Sequence, residues 1–137
     1  MDKKLITAIE RLHEPDGWVH FATINPDGGP HVTPLMMGIG DEGLLFSLTG
    51  QQKKLNMQRD NRGCISIAKP VTMAHIIIWG TMELRHDAAA KEIWDDMITA
   101  AFGDAGLDQR ERELSFEGTS LGVFTPERYR IYGMDDL

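Results

Sequence analysis

The 137-residue sequence contains a single cysteine, Cys64, so an intramolecular disulfide is excluded. The lack of a disulfide is typical of a protein from a reducing compartment, and the strand-like setting of Cys64 favours a small buried residue over a nucleophile. No apolar run approaches the length that crosses a bilayer, and the first residues lack the apolar core of a signal peptide. We therefore expect a cytoplasmic protein with no membrane partner, folded as one domain over residues 1–137.

Sequence patterns that mark self-contained catalysis or metal binding are also missing. The five histidines form no HxH or HExxH pattern, and a lone cysteine cannot form CxxC. Neither GxSxG nor the Walker A pattern occurs. We therefore predict no metal site, and the catalytic residues stay unknown. A bound cofactor is expected to carry any reactivity.

Acidic residues outnumber basic ones by 21 to 14, which gives a formal net charge of −7. This balance argues against nucleic acid as a partner, because a nucleic-acid binder presents a basic face. One short stretch reverses the sign: Lys53, Lys54, Arg59 and Arg62 stand against the single acid Asp60. The reversal marks this stretch as a candidate anion site.

The basic stretch follows the apolar, strand-like residues 44–48 and has the composition of a helix. A strand that enters a helix directs backbone N–H groups and the positive end of the helix dipole at the turn, which favours an anion. Thr49 and Gln52 also match a capping box, which would explain an ordinary surface helix without any ligand. The residues of this stretch alone leave both interpretations open.

Hydrophobic periodicity predicts six or seven short strands in hairpin order and two or three helices, a mainly β (α+β) pattern typical of a small antiparallel barrel or sandwich. Pro34 predicts an edge or an irregularity in its strand. The segment Gly38–Gly43 matches GxGxxG, but strand-like residues follow it, so we interpret it as a hairpin turn. Helices are expected over 2–13 and from Asp87 to Gly103, and strands over 18–24, 31–37, 44–48, 64–68, 75–84, 121–125 and 128–132.

The order of these segments resembles the pyridoxamine 5'-phosphate oxidase-like family of flavin-binding split barrels, which includes deazaflavin-using reductases. The resemblance extends from Trp18 to Gly133. The segments that carry it are Ala22–Pro34, Leu45–Ser47, Lys53 with Asn56, Arg59–Arg62, Ile78–Leu84 and Phe124–Gly133.

The resemblance implies a six- to seven-stranded antiparallel split barrel with peripheral helices, assembled as a homodimer with FMN at the interface. Lys53 matches the lysine that binds the flavin phosphate, and His75 matches a polar position that faces the cofactor across the interface. The other cofactor-binding positions that the resemblance implies are polar residues near the phosphate and a strand along the isoalloxazine ring: Ser47, Thr49, Gln51 and Gln52, and Thr33, Pro34 and Leu35.

The sequence departs from the family at Gln52, where a basic residue usually precedes the phosphate lysine. The C-terminal Arg/His segment of true pyridoxamine phosphate oxidases is missing, so we do not expect vitamin B6 oxidation. The leading hypothesis is an FMN-dependent oxidoreductase that acts on a small molecule by hydride transfer through the flavin N5. The alternatives are a non-catalytic dimer that binds or senses flavin or heme, a reductase that uses the deazaflavin coenzyme F-420, and a structural dimer with a vestigial site.

Overall fold

The computed structural model describes residues 1–14, 17–49, 51–69, 71–103 and 116–137, with the side chain of Gln51 outside this description. In these residues six strands form a closed, fully antiparallel barrel in the order β1-β2-β3-β6-β5-β4, which confirms the predicted barrel. None of the described helices is both long and apolar enough to cross a membrane. The elements are α1 (Lys3–Leu12), β1 (Trp18–Ile24), β2 (Pro30–Ile39), β3 (Leu44–Leu48), α2 (Gln51–Arg59), β4 (Arg62–Ala68), β5 (His75–Arg85), α3 (Ala88–Phe102) and β6 (Ser120–Tyr132).

The barrel interior is built around three aromatic rings. Phe21, Phe46 and Phe124 are fully buried, and their ring centroids lie 5.2 to 6.5 Å apart. Alternating residues of the strands point inward, because successive side chains of a strand lie on opposite faces. The predicted first helix is confirmed as α1, which adds Leu5 and Ile9 to the same core.

The helix α3 packs on the outside of the barrel against β3 and β6. Asp87 begins this helix as predicted, since its carboxylate accepts a hydrogen bond from the Ala90 N–H at 2.7 Å. Gly103 ends it with a positive φ of 70°. The buried residues of α3 and of the strands beneath it form a second apolar cluster that includes Leu45, Trp94, Met97, Leu121 and Val123.

One sequence prediction was wrong: the two last strands, expected on either side of Pro126, are a single strand, β6. Pro126 lies opposite Gly80, where the register between β5 and β6 shifts. Proline has no N–H to donate to the neighbouring strand, and a bulge at this point lets the strand continue without that hydrogen bond. A side chain at position 80 would overlap the Thr125 carbonyl oxygen, so the close approach requires glycine. The predicted irregular segment over 103–118 lies mostly outside the described residues.

The strand β2 pairs with β3 over only a few residues, and their separation leaves one edge of β2 free next to the candidate functional site. β2 pairs with β1 from Pro30 to Met36 but with β3 only from Met37 to Ile39. The β3-facing edge of β2 before Met37 therefore has no strand partner in the described structure. This confirms the edge expected around Pro34. The turn that links the strands is the predicted hairpin, closed by a Gly40 N–H to Gly43 O bond of 2.8 Å.

Candidate functional site at the β3–α2 junction

The helix α2 begins at Gln51, three residues after the end of β3, and one side of it is fixed to the barrel by hydrogen bonds. Asn56 is fully buried and forms the centre of this attachment. Its Nδ2 group donates to Thr23 Oγ1 at 2.9 Å and to Asn25 Oδ1 at 3.1 Å. Its Oδ1 atom accepts from Gln52 at 2.8 Å and from Arg59 at 3.3 Å.

The polar stripe formed by Gln52, Asn56 and Arg59 follows from helical spacing, because residues three and four apart share one helix face. The sequence includes Asn56 in the family resemblance but gives it no structural role. The role becomes visible only once the fold brings β1 beneath α2, since Thr23 is 33 residues away in the chain.

Two of the four cations in the basic stretch are held by protein groups. Arg59 donates to the Ile24 carbonyl oxygen and to Asn56. Arg62 forms a salt bridge of 2.7 Å with Asp60. Hydrogen bonds from the Arg62 side chain and backbone lower the pKa of Asp60 from 3.8 to about 2. Arg59 therefore attaches α2 to the end of β1, and Arg62 is paired locally with Asp60 at the start of β4.

Lys53 differs from those arginines in that it has no hydrogen-bond or ion-pair partner among the described residues. Its side chain is partly buried, and that burial lowers the pKa of its ammonium group below the ordinary value of 10.5. Within the described part of the chain, the Lys53 ammonium group has no salt bridge or side-chain hydrogen bond. Burial of a cation without a partner is unfavourable, and an anion held against Lys53 would offset that desolvation.

The remaining polar residues predicted near the phosphate have mixed surroundings. Thr49 is exposed between β3 and α2. The Ser47 hydroxyl accepts a 2.9 Å hydrogen bond from the Trp94 indole N–H of α3. The Gln52 amide donates to Asn56 down the helix, so it does not reach back towards Thr49 as a capping box requires. The Gln51 side chain lies outside the described residues.

The three residues predicted along the flavin ring lie on the unpaired edge of β2. Leu35 is buried in the barrel core, and Pro34 is exposed on the outer surface. The Thr33 Oγ1 atom is buried, and the described residues offer it no hydrogen-bond partner; the same holds for His31 Nδ1, two residues earlier. Buried polar atoms are nearly always paired, so unpaired ones beside a free strand edge are a feature expected of a ligand site.

Within one chain, His75 lies far along the barrel from the residues predicted at the β3–α2 junction. It is the first residue of β5, whereas Ser47 pairs with Leu121, which in turn pairs with Arg85 at the last residue of β5. Ten residues of extended strand span about 33 Å. The His75 ring stacks on Tyr132 with centroids 4.4 Å apart. The fold of a single chain therefore does not bring His75 to the β3–α2 junction.

The outer surface of the barrel beside β2 is rich in uncovered apolar groups. Val32 is 58% exposed, and the register places it in one row with Ala22, Cys64 and Trp79 across neighbouring strands. The guanidinium of Arg128 lies over the Trp79 ring at 4.3 Å from its centroid. We call this row, together with the 65% exposed Trp18 of the same outer surface, the open barrel face.

Comparison with solved structures supports the same fold. A protein described as an F-420 reductase has a TM-score of 0.71 at 22% identity, over 88% of this chain and 94% of that one. A conserved hypothetical protein from Mycobacterium tuberculosis has a TM-score of 0.76 at 17% identity, over 98% of this chain and 86% of that one. A protein from Listeria innocua, provisionally named a pyridoxamine 5'-phosphate oxidase, gives 0.69 at 19% identity, over 95% and 96%. These identities are too low to carry more than the fold.

The sequence comparisons extend from fold to family. No curated protein matches the chain by sequence. A family model described as pyridoxamine 5'-phosphate oxidase matches residues 7–133, nearly the entire sequence. The chain belongs to the pyridoxamine 5'-phosphate oxidase family.

Proposed function

We propose that the protein binds the phosphate of FMN at the β3–α2 junction and acts as a flavin-dependent oxidoreductase on a small molecule. The observation that carries this proposal is Lys53, a partly buried cation without a protein partner in the described residues. Its position, three residues into α2, adds a side-chain charge to the backbone N–H groups of the helix start.

The electrostatics of the whole chain make this position selective. The net charge of −7 repels anions in general, so a phosphate is attracted only where cations are concentrated and unpaired. Arg59 and Arg62 are engaged with protein groups, which leaves Lys53 and its neighbour Lys54 for the ligand. A lysine ammonium binds phosphate as a compact point charge with three rotatable donors.

The unpaired edge of β2 supports a planar ring next to the phosphate. Backbone N–H and C=O groups on a free strand edge remain available for hydrogen bonds to a ligand. The pyrimidine part of a flavin offers donors and acceptors of this kind, and Thr33 adds a buried hydroxyl that has no hydrogen-bond partner among the described residues. Pro34 removes one donor from the strand and so contributes to its separation from β3.

The residues present suit a protein that binds and orients a flavin, while the flavin itself carries the redox chemistry. A bound flavin supplies two-electron chemistry through N5, whereas the protein supplies binding, orientation and exclusion of water. Lys53 would hold the phosphate, and Asn56 would keep α2 in place on β1.

The open barrel face supports the further proposal that the active form is a homodimer. Large exposed apolar side chains such as Trp18 and Val32 on one outer face are typical of a protein–protein contact. In a dimer, a second copy would cover Trp18 and Val32, and His75 of one copy could approach the cofactor of the other.

Sedimentation velocity tests the dimer. We expect wild-type protein to sediment at twice the 15.4 kDa chain mass, and Val32→Asp to sediment as a monomer, because a buried carboxylate opposes association. Phe102→Asp is the matched control, since Phe102 is 53% exposed at the end of α3. A wild-type protein that is monomeric at micromolar concentration, or a Val32→Asp dimer of unchanged stability, would contradict the proposal.

A second candidate cofactor is the deazaflavin coenzyme F-420, which is favoured by the fold similarity to the protein described as an F-420 reductase. The net negative charge of the chain favours FMN over F-420, because the tail of F-420 is itself acidic and would be repelled.

Absorption spectroscopy separates the cofactors. Purified protein is incubated in turn with FMN, F-420 and hemin, and each mixture is passed through a desalting column. We expect the flavin bands to remain with the protein at about one FMN per chain. Retention of F-420 alone would support the deazaflavin alternative, and a Soret band after hemin alone would support a heme binder. Retention of no chromophore would refute a cofactor-binding function.

A further inference from the structure

A large cavity lies outside the barrel, apart from the β3–α2 junction. It has a volume of about 820 Å³ and is bounded by the C-terminal end of α1, the β2–β3 hairpin and α3. This volume lies within the range of small-molecule sites, roughly 300–1,000 Å³. No residue predicted to bind the flavin is among its described lining residues. The apolar part of its wall consists mainly of Met37, Ile39, Leu45, Ile93, Met97 and Val123.

The rim of this cavity carries a concentrated negative charge. Five carboxylates line it, and within the described residues none of the five is in a salt bridge: Glu10, Glu14, Asp41, Glu42 and Asp96.

The only lysine or arginine among the described lining residues is Arg85. Arg85 is already paired with Asp87, at 3.3 Å. The His13 ring lies at the same rim and donates to the Met37 carbonyl oxygen at 2.7 Å. Among the described residues, the rim therefore carries more carboxylates than cations, and these carboxylates surround an apolar wall.

We propose that this cavity binds a small organic cation with an apolar body. An apolar body would displace water from the methionine and isoleucine wall, which is favourable in proportion to the buried area. A positive charge at the rim would interact with several carboxylates at once, whereas an anion of the same shape would be repelled. The charge at the cavity rim is negative, whereas the charge at the Lys53 site is positive, so the two sites select ligands of opposite charge.

A pair of isosteric ions tests this proposal directly. Tetraphenylphosphonium and tetraphenylborate have nearly the same shape and opposite charge. Isothermal titration calorimetry at low ionic strength should show one phosphonium bound per chain and at least tenfold weaker binding of the borate. Added salt should weaken phosphonium binding, because the interaction is partly electrostatic. Equal affinity for both ions, or no phosphonium binding at millimolar concentration, would overturn the proposal.

Two sets of variants locate the binding to this cavity. Ala100→Trp fills the cavity from an exposed position on α3 and should abolish phosphonium binding, whereas Ala89→Trp, on α3 but outside the cavity lining, should not. The double change Asp41→Asn with Glu42→Gln removes two exposed charges and should weaken binding by about fivefold, within the range of surface charge interactions. Phosphonium affinity unchanged by Ala100→Trp would show that the ion binds elsewhere and would refute the site.

Discussion

Replacing Asn56 by alanine tests whether α2 is held on the barrel by one buried amide. The substitution removes four hydrogen bonds, to Thr23, Asn25, Gln52 and Arg59. The partners differ in their access to water. Thr23 is only 2% exposed, whereas Gln52 and Arg59 are exposed and can bond to solvent instead. The cost of the substitution is therefore concentrated at Thr23 and Asn25.

The expected loss in the free energy of unfolding follows from the burial of Thr23 and the partial burial of Asn25, which cannot replace Asn56 by water as easily as Gln52 and Arg59 can. A buried hydroxyl left without its partner costs about 1–3 kcal/mol, and the loss of an ordinary hydrogen bond costs about 0.5–1.5 kcal/mol. Alanine regains about 0.5 kcal/mol through its higher helix propensity. We therefore expect Asn56→Ala to lower the free energy of unfolding by about 2–3 kcal/mol, measured by urea denaturation with unchanged slope.

The control is Gln58→Ala on the same helix. Gln58 is exposed, so its replacement should change the free energy of unfolding by less than about 0.5 kcal/mol. A loss below about 1 kcal/mol for Asn56→Ala would refute the reasoning, because it would mean that the buried amide does not stabilise the junction.

Two further predictions concern the β5–β6 bulge and the basic stretch. Gly80→Ala should destabilise the fold by about 3 kcal/mol or more in urea denaturation, because the new methyl group overlaps the Thr125 carbonyl oxygen; wild-type stability would contradict the bulge geometry. Asp60 should titrate at about pH 2 by NMR, below its ordinary pKa of 3.8. Its contribution to stability is therefore present above about pH 4 and lost as the pH falls towards 2. Arg62→Ala should return the pKa towards 3.8; an unchanged titration would contradict the pairing.

Local patterns predicted most elements of the fold, and the exception has a clear physical cause. The cap at Asp87 and the glycine at 103 are local signals, and both were confirmed because they depend only on neighbouring backbone groups. Pro126 is also a local signal, but its effect is decided by the partner strand. Gly80 lets β6 pass the proline without ending, and no local pattern in β6 indicates this.

The candidate site was predictable only in part, for a similar reason. The charge reversal around Lys53 is visible in the sequence, and so is Pro34, which predicts the strand edge beside it. Whether a cation in that stretch is free depends on contacts with other elements, such as the bond from Arg59 to the Ile24 carbonyl oxygen. Asn56 acquires its role only from its contact with Thr23 on β1, and the cavity beside α3 left no sequence signal that identified it.

The most direct test of the proposed function is a thermodynamic cycle between Lys53 and the flavin phosphate. Riboflavin lacks only the phosphate of FMN, so the ratio of their dissociation constants measures what the phosphate contributes. Fluorescence titrations on wild type, Lys53→Ala and the exposed-lysine control Lys3→Ala give the ratio in each protein. We predict that the preference of wild type for FMN falls by about tenfold in Lys53→Ala, as expected for one charged hydrogen bond, and persists in Lys3→Ala. An equal preference for FMN in wild type and Lys53→Ala would contradict the phosphate site.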